Sequence, residues 1–140
     1  MARISFSKVE ETPFGQLLGH NPDILKAWRD CEKIVYNAGT LSPELKEQVR
    51  RALSFGNGCE YCQVGGKPNT AHPDPKESLA MAFTDLFLRD HLAIDDDAFN
   101  VLKEEFSDAE ISELLAFICF VSASQRFSAV LQLEKELAPV

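Results

Sequence analysis

The sequence predicts an all-α fold. Helix start signals recur along the chain, each a capping residue followed by proline or by acidic residues in the first turn. Between these signals, apolar residues recur every three or four positions, which is the period of a helix face. Only residues 3–9 have the composition of a strand, and a single strand cannot make a sheet. We therefore expect a helical bundle in one domain, residues 1–140.

Two helices are predicted in the first half of the chain, and each starts at a capping residue followed by proline. Asn21 begins the first, which closes at Gly39. Ser42 begins the second, which stops at the Gly-Asn-Gly sequence of residues 56–58. The apolar stripe of the first helix consists of Ile24, Trp28, Cys31 and Val35.

The next segment contains two cysteines and then a long loop. A short third helix is expected to open at the cysteines and to stop before the loop of residues 67–75, which contains three prolines. A fourth helix is predicted from residue 76 to about 91. It is apolar over much of its circumference and should be deeply buried.

Two further helices are predicted after residue 94. Asp95 or Asp96 caps a short one. Ser107 and Glu110 form a capping box for a long final helix that reaches Leu137. Residues 116–123 of this last helix are apolar almost all round, so that part of the surface is expected either to contact another subunit or to be wrapped by its own chain.

Composition and charge exclude several classes of function. The chain has 14 basic and 22 acidic residues, a net charge of −8, and no Lys/Arg stripe suited to phosphate backbones. Nucleic acid and anionic membranes are therefore poor partners. The N-terminus lacks the apolar core of a signal peptide, and the longest apolar run, residues 114–121, is far shorter than the ~20 residues of a membrane span. We expect a cytoplasmic protein.

Cys59 and Cys62 lie three residues apart among glycines, and a C-x-x-C pair in a reducing compartment is more often catalytic or metal-binding than structural. Cys59 follows Gly58 at the expected start of a helix, where free N–H groups stabilise a thiolate. Cys62 is one turn further on, close enough to form a disulfide. A redox pair is the favoured interpretation.

Two other interpretations of the cysteines stay open. A structural zinc site needs four ligands, and although His72 is a possible third, no fourth is evident. Alternatively, both cysteines only pack. Cys31 and Cys119 lie among apolar residues and are predicted to be core side chains. The redox interpretation requires no metal and no bound organic cofactor.

The segment LSPELKEQVRRALSFGNGCEYC, residues 41–62, resembles the carboxymuconolactone decarboxylase and AhpD-like alkylhydroperoxidase family. In that family a helix bearing a glutamate leads into a C-x-x-C, and the similarity extends over roughly residues 20–135. The resemblance implies an AhpD-like helical bundle that forms a homo-oligomer, often a trimer or hexamer. Its cysteines would reduce a hydroperoxide or the disulfide of a partner peroxiredoxin, and an external dithiol would then re-reduce them.

The resemblance also implies roles for individual residues. By position, Cys62 is the attacking thiol, Cys59 its disulfide partner and Glu47 a proton-relay carboxylate. Without the resemblance, Glu47 would be read as one half of an exposed i,i+4 ion pair with Arg51. The relay role requires the polar face of that helix to look toward the cysteines across the turn at residues 56–58.

One position departs from the family pattern. Members with thiol chemistry usually carry a histidine four residues after the second cysteine, where this chain has Gly66. Either His72, folding back from its loop, or Tyr61, donating a hydrogen bond, is a candidate replacement. His20 and His91 are weaker candidates.

Two alternatives to the redox function remain. The fold could instead support a decarboxylase acting on a small lactone acid, although such chemistry has no evident need for two thiols. It could also form a non-catalytic oligomer whose cysteines only pack, and Gly66 favours this last alternative.

Overall fold

Six α-helices form the framework of the described part of the chain, which is residues 1–138 of a computed structural model. They are α1 (Pro13–Leu18), α2 (Pro22–Asn37), α3 (Pro43–Gly56), α4 (Pro75–Asp90), α5 (Asp96–Leu102) and α6 (Asp108–Val130). No strand occurs in this part of the chain, so the all-α prediction is confirmed and the strand composition of residues 3–9 is misleading. The last two residues of the predicted domain, 139 and 140, lie outside the description.

The predicted capping residues start their helices as expected. In each case the cap side chain accepts a hydrogen bond from a backbone N–H in the first turn, which satisfies a donor that the helix leaves free. At Ser107 the reciprocal bond from the backbone to Glu110 is also present, so the capping box is complete. The confirmed caps are Asn21, Ser42, Asp95 and Ser107.

Helix α1 was not predicted. Thr12 caps it and Pro13 occupies its first turn, the same signal that marks α2 and α3. With only six residues, it shows too little apolar periodicity to be recognised as a helix. It contributes to a small second core cluster, which consists of Phe14, Leu17, Leu18, Leu25 and Leu133.

The prediction that the final helix reaches Leu137 is wrong, because α6 ends at Val130. The backbone reverses at Gln132, which has a φ of 55°, and this turn places Leu133 in the second cluster with only 3% of its surface exposed. The chain therefore turns after Val130 and buries Leu133 instead of continuing the helix. By length and composition α6 is also apolar enough to cross a membrane, as core helices of folded proteins often are, and 39% of an 18-residue window within it is buried inside the protein.

The main core lies between α3, α4 and α6. Its fully buried side chains include Val49 and Leu53 of α3 and Phe117 of α6. The deep burial predicted for α4 is wrong for much of its surface, because only one face is buried and Leu86 on another face is 40% exposed. Helix α3, which leads to the cysteines, therefore packs between α4 and α6, and this packing holds it in place.

The prediction that Cys31 and Cys119 are core residues is wrong, because both are exposed. Trp28 and Tyr36 attach α2 to α6 through ring contacts with Phe120 and Phe117, and this arrangement leaves Cys31 on the outer side. The buried side of α6 carries Phe117, Ile118 and Val121, and Cys119 lies off it.

The apolar region of α6 is only partly covered by its own chain. Ala116, Cys119 and Ala123 form an exposed stripe at helical spacing. Ile34 of α2, 64% exposed, lines the same shallow groove as Ala116. The homo-oligomer stays a prediction, and this stripe is the surface on which it rests.

Candidate functional site

The end of α3 positions Cys59 through a hydrogen-bonded turn. Gly58 has a φ of +65°, a conformation that side chains other than glycine's rarely adopt. Its N–H donates to the Phe55 carbonyl at 3.1 Å, and the Cys59 N–H donates to the Ser54 carbonyl at 3.0 Å. This pair of bonds is a Schellman motif, which satisfies the last carbonyls of the helix. The sequence Gly58-Cys59 therefore fixes the first cysteine against the end of α3.

A single 3₁₀ helix, Glu60–Gly65, then brings Cys62 back to Cys59, so the predicted short helix exists but is not α-helical. The two cysteines form a disulfide, with their Cα atoms 5.2 Å apart. The Cys62 N–H also donates to the Cys59 sulfur at 3.2 Å. Residues 59–66 are called the cysteine turn below.

The two sulfurs differ in accessibility. Cys59 is fully buried, whereas Cys62 is partly exposed and lines a cavity of about 280 Å³. A molecule in this cavity can reach only the second cysteine. The wall is built by the N-terminal segment, α1, α2, α3, the cysteine turn and α6, and its main side chains are Phe14, Arg29, Tyr36, Arg50, Tyr61 and Gln125.

Arg50 links the glutamate of α3 to the cysteine turn. Its Nε and Nη2 donate to the two carboxylate oxygens of Glu47, both at 2.8 Å. Its Nη1 donates to the carbonyl oxygen of Cys62, also at 2.8 Å. Arg51 Nε is a second donor to Glu47 at 2.9 Å. Glu47 is therefore linked to the backbone carbonyl of Cys62 through one intervening guanidinium.

Gly65 allows this close approach between α3 and the cysteine turn. A Cβ atom at residue 65 would lie 2.6 Å from Arg50 Nη2 and 3.2 Å from Glu47 Oε1. A larger residue at this position would therefore require the Arg50 guanidinium to shift. The polar face of α3 thus looks toward the cysteines, as the proton-relay role of Glu47 requires.

The ion pair favours the ionised form of Glu47. The hydrogen bond from Arg50, aided by the one from Arg51, lowers the pKa of Glu47 from 4.5 to about 2. At neutral pH the carboxylate is ionised and has little affinity for a proton. The relay role stays a prediction, and it requires Glu47 to separate from Arg50 when it accepts a proton.

The lowered pKa of Glu47 predicts a pH-dependent contribution to stability. Because the folded pKa lies below the unfolded one, the ion pair stabilises the protein fully above about pH 4.5 and progressively less as the pH falls toward about 2. We expect the difference in unfolding free energy between wild type and Glu47→Gln to be constant from pH 5 to 7 and to shrink below pH 4.5. Chemical denaturation at each pH measures it. The exposed Glu44, one turn earlier, provides the control Glu44→Gln, and a Glu47→Gln difference that grows on acidification would contradict the prediction.

A second arginine also lines the cavity. Arg29 donates to Glu10 at 2.7 and 2.8 Å, to Thr12 at 2.8 Å and to Glu32 at 3.1 Å. Both guanidinium groups of the cavity are therefore already paired with carboxylates. Tyr36, whose pKa burial raises to about 12, stays a neutral phenol at physiological pH.

The candidate replacements for the missing histidine lie in different places. His72 Nδ1 is 2.6 Å from Glu77 Oε1 at the start of α4, and this histidine does not line the cavity. Tyr61 does line the cavity. Gly66 has a φ of +81° and a ψ of −172°, a region almost restricted to glycine, so histidine would be strained there although a Cβ would meet no atom within 4 Å. Within residues 1–138, no three His, Cys, Asp or Glu side chains cluster as metal ligands would.

Sequence reasoning missed Arg50, Arg29 and Gln125. Arg50 follows Glu47 by three residues, a spacing that typically gives a surface ion pair, and nothing local shows that it also reaches Cys62. Gln125, 3% exposed, donates to the Arg50 carbonyl at 3.2 Å from α6. In the sequence, the signal that could have indicated this contact is a glutamine on the apolar final helix, because a glutamine buried there needs a hydrogen-bond partner.

No known family model matches this sequence, and neither does any curated protein sequence. Solved structures do share the fold. A peroxidase-related protein of uncharacterised function from a Silicibacter species has a TM-score of 0.76 and 18% identity over 86% of this chain and 74% of its own. A protein of unknown function from Agrobacterium tumefaciens, suggested to be the antioxidant defence protein AhpD, has a TM-score of 0.74 and 20% identity over 100% and 99% of the two chains.

A third similar structure belongs to an enzyme with a named activity. It is a debrominase, solved as a cysteine-to-alanine variant in complex with 2,3,4-tribromopyrrole, with a TM-score of 0.73 and 20% identity over 88% of this chain and 76% of its own. At these identities the likeness shows the fold alone. The chain thus has the AhpD-like helical fold expected from residues 41–62, and that fold supports more than one chemistry.

Proposed function

We propose that this protein is a thiol-dependent oxidoreductase that reduces organic hydroperoxides through Cys62 and Cys59. One observation carries the proposal: a disulfide-forming pair in which only Cys62 faces a cavity, while its partner is buried directly behind it. A substrate can thus reach the attacking sulfur, and the resolving sulfur is protected from it.

The reaction balances with two electrons from the cysteine pair. The Cys62 thiolate attacks the terminal peroxide oxygen, the O–O bond breaks, and the departing alkoxide takes a proton to leave as an alcohol. Cys62 is now a sulfenic acid. The Cys59 thiol displaces its oxygen as water and forms the disulfide. An external dithiol then returns two electrons and two protons and is itself oxidised. A peroxiredoxin disulfide could replace the peroxide as the electron acceptor.

Thiol counting tests the proposal. Reduced protein, freed of reductant, has four thiols, of which the two exposed ones at Cys31 and Cys119 should persist after oxidation. We expect one equivalent of cumene hydroperoxide to remove two thiols and to yield one equivalent of cumyl alcohol. Peptide mapping should find the new disulfide between Cys59 and Cys62. A pair left reduced by cumene hydroperoxide, hydrogen peroxide and an oxidised peroxiredoxin would refute the proposal.

The cavity also favours a second candidate, reductive removal of a halogen from a small aromatic ring. Phe14, Tyr36 and Tyr61 offer aromatic walls around Cys62, in a volume suited to one ring. The dithiol would supply the electrons, so that the aryl bromide and two thiols yield the arene, bromide, a proton and the disulfide. Bromide release from 2,3,4-tribromopyrrole by reduced protein tests it. A lactone acid fits less well, because Arg29 and Arg50 are already paired with carboxylates.

A further inference from the structure

We propose that Arg50 is the positioning residue of Cys62 and the cation that favours its thiolate. This inference rests on the proposed thiol chemistry. Arg50 Nη1 lies 2.8 Å from the Cys62 carbonyl oxygen, which is four bonds from the sulfur of the same residue. Both residues line one cavity. Here the guanidinium takes the place of the imidazole that the position of Gly66 does not provide.

The surroundings of Arg50 hold it in one orientation. Glu47 occupies two of its nitrogen atoms from the side away from Cys62, and Gln125 of α6 donates to its carbonyl. Its side chain is only 17% exposed, so the charge is poorly screened by water. A guanidinium can serve a carboxylate and a carbonyl at once because its donors form a rigid planar fork, which an ammonium lacks.

The other ionisable groups around the cavity do not substitute for Arg50. Glu10 and Glu32 are both paired with Arg29, and Arg51 turns toward Glu47. Among the described residues, no other charged side chain hydrogen-bonds to Cys62. The groups that face or flank the cavity are Glu10, Arg29, Glu32, Tyr36, Glu47, Arg51 and Tyr61.

The test measures the thiol pKa of Cys62 and needs no substrate. In a background where Cys31, Cys59 and Cys119 are replaced by serine, the rate of alkylation by iodoacetamide is followed against pH. We expect Arg50→Gln to raise the midpoint by about one pH unit or more, which means roughly tenfold less thiolate at any pH well below both midpoints. At high pH the rates of wild type and variant should converge, because both thiols are then ionised. If Arg50 only maintained the structure around Cys62, the two rates would still differ at high pH.

Arg51→Gln is the matched control, because it removes the same charge and another partner of Glu47 but no contact with Cys62. Its midpoint should move by less than about a third as much. Equal shifts in the two variants, or none in a folded Arg50→Gln protein, would overturn the inference. If Arg50→Gln does not fold, Arg50→Lys decides: we expect a rise of about half a unit, since lysine keeps the charge without the fork, and an unchanged midpoint would overturn the inference.

These outcomes are separable from the proposed function. Failure of every oxidant to convert the wild-type pair to a disulfide would end the proposed function. An unchanged midpoint in the Arg50 variants would end only the role of Arg50.

Discussion

Replacing Cys62 by serine is expected to lower the rate of peroxide reduction by at least about a thousandfold, because the hydroxyl of serine is not ionised at neutral pH and the buried Cys59 cannot reach a substrate. Consumption of cumene hydroperoxide, with an excess of dithiol present, measures the loss. Turnover within tenfold of wild type would show that Cys62 is not the attacking group.

Replacing Cys59 should have a different effect. Cys59→Ser leaves the attacking thiol intact, so we expect one rapid equivalent of alcohol and then a sulfenic acid on Cys62, detectable by its adduct with dimedone. Further turnover should be slow, because the disulfide cannot form within the chain. The double variant Cys31→Ser/Cys119→Ser is the control and should retain wild-type turnover, since both of these cysteines are exposed and neither lines the cavity.

Local chemistry explains which parts of the fold could be predicted. Capping depends on neighbours in sequence, so Ser42 before Pro43 specifies the start of α3 whatever packs around it. Burial depends on which elements meet, and here prediction failed: Cys31 shares an apolar stripe with Trp28, yet only Trp28 faces α6. The prediction of where α6 ends failed for the same reason. The helix ends where it does because Leu133 is buried in a cluster made by α1 and α2.

The candidate site also has features that neighbouring residues in the sequence determine and features that depend on packing. The turn that delivers Cys59 follows from Gly58 and could be predicted, and the pairing of Cys59 with Cys62 follows from their spacing. Arg50 could not be recognised, because its contact with Cys62 depends on how the cysteine turn folds back over α3. The asymmetric burial of the two sulfurs, on which the proposed order of attack depends, is likewise a property of packing alone.

Lys46 provides the largest expected effect on stability. Its side chain is 4% exposed, and its ammonium group donates to the carbonyls of Val35 and Ala38 at 3.0 and 2.9 Å and lies 3.1 Å from Glu113. It thus ties the end of α2 to α3 and α6. Lys46→Met retains much of the apolar length of the side chain but removes the donor of the two carbonyls and the counter-charge of Glu113, which keeps only the backbone N–H donors of Thr40 and Leu41. We expect a loss of about 3 kcal/mol or more in unfolding free energy, since removal of one partner strands a largely buried charge.

Urea denaturation of the oxidised protein at pH 7 and fixed concentration measures this loss. The exposed pair of Lys26 and Asp30 supplies the control, because Lys26→Met removes an ion pair of similar length, 2.8 Å, that water already screens, and no measurable change is expected. Adding Glu113→Gln to Lys46→Met should restore part of the stability, because the stranded charge is then gone. A loss below about 1 kcal/mol for Lys46→Met would contradict the prediction and would mean that water replaces the ammonium at the end of α2.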